Sequence, residues 1–164
     1  MDAKRRDADS AKVAREIVWT GIRSPSLDYC CVQREKEGWR FSGTVVAKLR
    51  TSPIAARYEI FVDKKFKTQS LVVDETTRGR TIRRKIEFRK GTWFVDGEGR
   101  NDLEKCSDVD LEASPCTNTP PIRRSRLKIG QRIDLTAAWV RLPSLKVMPL
   151  KQSYERRNAW KYLY

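Results

Sequence analysis

The chain has 164 residues, and its 35 Lys and Arg side chains outnumber its 21 Asp and Glu side chains by 14. This length suits a single domain, and five residues each of Trp, Tyr and Phe supply apolar surface for a core, which argues against a disordered chain. The absence of histidine excludes a Ser-His-Asp triad, a Cys-His pair and a His-ligated zinc site.

The N-terminal segment is polar and of mixed charge. We expect residues 1–16 to form a tail or a short helix and residues 17–164 to form one domain. The apolar group Ile17–Trp19 is too short for the core of a signal peptide, and no run approaches the roughly 18 apolar residues of a membrane span. The sequence therefore predicts a cytoplasmic protein with reduced thiols.

Most of the remaining chain shows the period-two alternation of β-strands. Residues 57–63 place Tyr58, Ile60 and Val62 on one face, and residues 81–89 alternate in the same way. Later strands are predicted at 131–142, 145–154 and 159–164. About ten strands at hairpin spacing, with no long crossover, predict a mainly β fold, in which a single antiparallel, strongly curved sheet forms a barrel or half-barrel.

The chain contains four cysteines. Their spacing matches no zinc motif. We interpret them as small buried hydrophobic residues, and the four positions are Cys30, Cys31, Cys106 and Cys116.

The segment from Asn101 to Ile129 contains three prolines within seven residues, which predicts a long, rigid loop instead of a helix interior or a central strand. Asp108 and Asp110 would face the same side of an extended segment. Such carboxylates can bind a metal or act as acid and base, or they can form ion pairs with Arg123 and Arg124.

The excess positive charge is uneven. Residues 78–90 contain seven basic residues and one acid. Such a face can be a solvated surface, a contact for anionic lipid head groups or a nucleic-acid surface.

Aromatic residues cluster near the C-terminus. They fit either cross-strand packing or a platform that lines an apolar cavity. The cluster contains Trp139, Tyr154, Trp160, Tyr162 and Tyr164.

Two blocks carry a family resemblance, and they are residues 106–111 (Cys-Ser-Asp-Val-Asp-Leu) and residues 117–124 (Thr-Asn-Thr-Pro-Pro-Ile-Arg-Arg). Together with residues 139–143 (Trp-Val-Arg-Leu-Pro), they make the chain from Trp19 onward resemble a bacterial family named "putative glycolipid-binding". The chain departs from the family pattern at a few positions, among them Phe66, where the family has Trp.

The resemblance implies a barrel-like β fold and a lipid or glycolipid ligand. We expect a non-enzymatic binding protein without a cofactor or metal. We expect an acyl chain inside the curved sheet and an anionic or sugar head group near residues 117–124, with an anionic membrane surface as a further possible partner. The candidate ligand-binding residues are Asp108, Asp110, Asn118, Arg123, Arg124, Trp139 and Tyr154. The alternatives are nucleic-acid binding through residues 78–90 and an enzyme that uses Asp108 and Asp110.

Overall fold

A computed structural model describes residues 12–22, 24–49 and 52–164. The first sheet is an antiparallel meander whose spatial order equals the chain order. Its eight strands are β1 (Lys12–Thr20), β2 (Ser26–Glu35), β3 (Gly38–Leu49), β4 (Ser52–Asp63), β5 (Thr68–Thr77), β6 (Arg80–Arg89), β7 (Thr92–Val95) and β8 (Glu98–Gly99).

The second sheet has four strands in the order β12, β11, β10, β9. Strand β9 runs parallel to β10, whereas β10 with β11 and β11 with β12 are antiparallel. The strands are β9 (Asp108–Leu111), β10 (Arg132–Arg141), β11 (Lys146–Arg156) and β12 (Tyr162–Leu163).

The prediction of a mainly β fold is confirmed, but the single antiparallel sheet is wrong and the closed barrel is not confirmed. A parallel pair needs a crossover connection, and the segment between Leu111 and Arg132 provides it. That segment contains a 3₁₀ turn (Pro115–Asn118) and a short helix, α1 (Thr119–Ser125), where we predicted only a loop. Pro120 and Pro121 fit because they occupy the first turn of α1, whose N–H groups need no partner within the helix.

The face of the first sheet that we expected to line a hollow interior packs against the second sheet instead. Fully buried side chains from both sheets meet there, including Phe41 and Tyr58 from the first sheet and Val109 and Val140 from the second. The predicted face of β4 is confirmed, since Tyr58, Ile60 and Val62 are all buried. The space in which we expected an acyl chain is therefore occupied by the protein's own core.

The N-terminal segment differs from the prediction, whereas the cysteines agree with it. Residues 12–16 lie in strand β1, so this part of the predicted tail or helix is extended, and residues 1–11 lie outside the described residues. The cysteine interpretation is confirmed, because all four thiols are free and buried. In the described part of the chain, no helix is long and apolar enough to cross a membrane.

Candidate functional site

Asp108, at the start of β9, is buried and forms a two-pronged ion pair with Arg124 of α1. The guanidinium Nη1 lies 2.7 Å from Oδ1, and Nη2 lies 2.5 Å from Oδ2. Arg124 also donates a hydrogen bond to the carbonyl oxygen of Phe66 at 3.0 Å. The structural alternative for Asp108, an ion pair with a neighbouring arginine, is thus confirmed. The pair joins α1 to β9, and the hydrogen bond to Phe66 joins α1 to the loop between β4 and β5.

Asp110 is buried on the same side of β9 but is bound by neutral donors, so the arginine partner that we allowed for it is wrong. Its oxygens accept hydrogen bonds from the Thr117 hydroxyl at 2.7 Å, the Gln152 amide at 2.6 Å and the Tyr164 hydroxyl at 3.2 Å. Burial raises the pKa of Asp110 above its ordinary value. Structural hydrogen bonds occupy both carboxylates, so the structure does not favour the enzyme alternative.

The Arg123 side chain packs on the Phe66 ring, whereas Arg124 pairs with Asp108. The guanidinium carbon of Arg123 lies 5.3 Å from the centre of the Phe66 ring. Phe66 stacks on Trp39 with ring centres 5.7 Å apart, and the guanidinium carbon of Arg34 lies 5.9 Å from the centre of the Trp39 ring. The cation–π contact with Phe66 stabilises the position of the Arg123 guanidinium.

Tyr154 is fully buried and therefore does not form an open platform. Its hydroxyl lies 2.8 Å from Oδ1 of Asn118, and its ring stacks on Tyr164 with centres 5.4 Å apart. Burial raises the pKa of Tyr154 and of Tyr164, so both hydroxyls stay neutral at ordinary pH. Asn118 is half-buried, and none of the described residues accepts a hydrogen bond from its Nδ2.

An open groove of about 570 Å³ lies between the β1–β2 turn and the segment that follows β9. We call it the groove, and its lining is mainly apolar, with Ile22, Trp139, Leu150 and Tyr164 among the larger side chains. Three candidate residues from the sequence meet here, namely Asp110, Asn118 and Trp139.

A second depression, of about 800 Å³, is strongly basic. We call it the basic depression, and it contains two further candidates, Arg123 and Arg124, whereas Asp108 and Tyr154 line neither surface. Its other basic residues are Lys64, Lys65, Arg126 and Arg156, and Phe66 and Tyr162 are its aromatic residues.

The groove and the basic depression adjoin each other. Tyr162 lines the depression and Tyr164 lines the groove, and two residues of extended chain span about 7 Å. Asn118 and Arg123 are related in the same way through α1, in which five residues span about 8 Å. Two independent segments thus place an apolar surface beside a cationic one.

The basic strand face at residues 78–90 has acidic neighbours. Arg83 pairs with Asp74, and Arg84 pairs with Asp96. Glu87 accepts contacts from both Lys85 and Arg89. These pairs reduce the net charge that β6 presents to a polyanion, while nucleic-acid binding itself stays an untested prediction.

Sequence reasoning missed several lining residues of both surfaces. Ile22 and Leu150 in the groove are exposed apolar residues, and a single exposed apolar residue does not by itself indicate a binding surface. Lys64 and Lys65 form a visible basic pair, but nothing in the sequence places them beside Arg123 and Arg156.

Comparison with known proteins agrees with this architecture. A protein from Pseudomonas aeruginosa, described as a DUF1089 family protein, has a crystal structure that superimposes with a TM-score of 0.73. The two sequences are 28% identical, and the match covers 92% of this chain and 83% of that one. Among curated proteins, none matches the chain. A family profile matches residues 16–164, and the chain therefore belongs to the family described as "Putative glycolipid-binding".

Proposed function

We propose that the protein is a non-enzymatic binder of an amphiphilic lipid or glycolipid, with the apolar chain in the groove and the polar head toward the basic depression. The observation that carries this proposal is the adjacency of the two surfaces, since an amphiphile is a ligand with one apolar and one polar end. The family description supports a glycolipid ligand. Because the protein's own core fills the sheet interior, the acyl chain is assigned to the groove.

The groove has the size and chemistry for an alkyl chain. Its volume of about 570 Å³ falls within the range of typical ligand sites, roughly 300–1,000 Å³. Ile22 is fully exposed and Leu150 is 37% exposed, so a bound chain would remove apolar surface of both residues from water. This removal is the main source of binding free energy for an uncharged chain.

Polar groups stand where the groove meets the basic depression. The Oδ1 of Asn118 accepts a hydrogen bond from the Tyr154 hydroxyl. The amide nitrogen of Asn118 donates to none of the described residues and is free to contact a ligand. The Tyr164 hydroxyl contacts Asp110 at 3.2 Å at the same place. These amide and hydroxyl groups suit the hydroxyl groups of a sugar, which both donate and accept hydrogen bonds.

Isothermal titration calorimetry with neutral alkyl glucosides of increasing chain length, below their micelle concentrations, tests the proposal. Each methylene buried in the groove contributes about 0.8 kcal/mol, so the Kd should fall about fourfold per added carbon until the groove is full. A Kd that does not depend on chain length would contradict the proposal.

A pair of matched variants locates the site. Leu150→Lys places a charge in the groove and should weaken binding about tenfold or more. Val46→Lys makes the same change at a 55% exposed position on β3 outside the groove and should leave the Kd unchanged. Equal effects of the two changes would place the binding site elsewhere.

A further inference from the structure

The basic depression contains far more positive charge than its surroundings neutralise. Six of its lining residues are cationic and none is acidic. Arg124 is paired with Asp108, and Lys64 lies 3.6 Å from Glu37. The other four form no salt bridge with any described residue, and they are Lys65, Arg123, Arg126 and Arg156.

A further carboxylate close in the chain to Lys64 and Lys65 belongs to Asp63, at the end of β4. Its Oδ1 accepts hydrogen bonds from the backbone N–H groups of Lys65 at 2.8 Å and Lys67 at 2.9 Å. Asp63 thus stabilises the β4–β5 turn and leaves the side chain of Lys65 unpaired. Gathering like charges in one concave surface is unfavourable in the empty protein and creates a strong local field for anions.

The guanidinium groups are held in position before any ligand binds. Arg123 is stacked on Phe66, as described above. Arg156 donates to three backbone carbonyl oxygens, those of Leu127 at 2.9 Å, Asn158 at 3.2 Å and Ala159 at 3.4 Å. A ligand that meets fixed arginines loses little binding free energy to the ordering of side chains.

We infer that the basic depression binds a phosphate group, and that Arg123, with Lys65 and Arg156, contacts its oxygens. The planar fork of an arginine matches two oxygens of one phosphate. Four cations without carboxylate partners suit a doubly charged anion better than the single charge of a fatty-acid carboxylate. The inference deepens the proposed function, because it specifies a phosphate ester as the head group. It rests on the proposed function for the position of the apolar chain.

The first arm of the test uses inorganic pyrophosphate, which has no apolar chain and examines the basic depression alone. Calorimetry at about 0.1 M salt, where exposed charges more than about 10 Å apart are largely screened, should detect binding to the wild-type protein. Loss of a charge-assisted hydrogen bond predicts that Arg123→Gln raises the Kd about 10-fold to 100-fold, and Lys65→Gln provides a second variant. Both side chains are exposed, and thermal unfolding verifies that each variant folds.

The matched control is Arg80→Gln. Arg80 is exposed on β6, outside the depression, and removing it lowers the net charge by the same one unit. Its Kd for pyrophosphate should stay within about twofold of wild type, since a distant exposed charge is screened by salt. If Arg80→Gln weakens binding as much as Arg123→Gln, the attraction is general and the inference is overturned.

The second arm distinguishes a lipid head group from a free phosphate compound. Dioctanoyl phosphatidic acid is compared with dioctanoylglycerol, which has the same chains and no phosphate. Tighter binding of phosphatidic acid that depends on Arg123 supports a lipid phosphate, even if pyrophosphate alone binds weakly. If the Kd of neither phosphate compound depends on Arg123, the phosphate site is refuted. The chain-length series with neutral glucosides tests the groove independently of this result.

Discussion

Asp28 provides the sharpest quantitative prediction because it is a buried carboxyl at the junction of the two sheets. It is 1% exposed on β2. It accepts hydrogen bonds from the Tyr58 hydroxyl at 3.0 Å and the Ser114 hydroxyl at 2.7 Å. Burial outweighs these hydrogen bonds and raises the pKa of Asp28 from 3.8 to about 6.

The raised pKa of Asp28 makes the free energy of unfolding depend on pH. The folded protein holds this proton more tightly than the unfolded chain, so the stabilisation is complete below pH 3.8 and is lost as the pH rises through about 6. Raising the pKa of Asp28 from 3.8 to about 6 corresponds to about 3 kcal/mol in the free energy of unfolding. Because Ser114 lines the groove, the same carboxyl also supports one wall of the proposed binding site.

The test compares wild type with Asp28→Asn by chemical denaturation at intervals between pH 4 and pH 7.5. The free energy of unfolding of the wild type should fall by about 2 kcal/mol relative to the variant across this range, since at pH 4 part of the unfolded chain is already protonated at this carboxyl. The comparison cancels the contribution of Asp110, which both proteins contain. The control Asp134→Asn removes a carboxylate whose side chain is 71% exposed and should run parallel to wild type. Parallel curves for wild type and Asp28→Asn, or a difference of opposite sign, would refute the reasoning.

Two further substitutions examine contacts that hold the site together. Asp108→Ala leaves the Arg124 guanidinium without its carboxylate, and since Arg124 is 30% exposed, we expect a loss near the lower end for buried pairs, about 3 kcal/mol, measured by urea denaturation. Gly43→Ala places a Cβ against the carbonyl oxygen of Tyr29 and the ring of Tyr58, and should lower the free energy of unfolding by about 3 kcal/mol.

Each of these two changes has a control in the same protein. Gly99→Ala introduces a Cβ whose nearest neighbour is a ring carbon of Phe94 at 3.8 Å, an ordinary contact, and should be nearly neutral. Asp134→Asn serves again for Asp108→Ala, because its partner Arg132 is exposed in solvent and such pairs contribute little. A Gly43→Ala protein as stable as Gly99→Ala would show that the sheet relaxes around the new methyl group.

The sequence predicted individual strands well where one face is buried and the other is solvated. In β4 the alternation from Tyr58 to Val62 survives folding because every second side chain enters the core. The crossover between β9 and β10 was missed for a physical reason. Helix α1 is too short to show a helical period, and its first turn contains two prolines, which also favour loops.

In the candidate site, too, the sequence predicts the residue types, whereas the fold decides which residues meet. The sequence indicated that a carboxylate of β9 could pair with Arg123 or Arg124, but it could not choose between them. Successive residues of a helix point about 100° apart, so α1 directs Arg124 to Asp108 and Arg123 to Phe66.

By itself, the sequence determined the β class, the excess of positive charge and the residue types available for binding. These follow from local alternation and composition, which do not depend on distant parts of the chain. Only the tertiary structure decided that a second sheet fills the interior and that the groove adjoins the basic depression. Alternation specifies which face of a strand a side chain occupies, whereas what lies opposite that face depends on contacts between residues far apart in the chain.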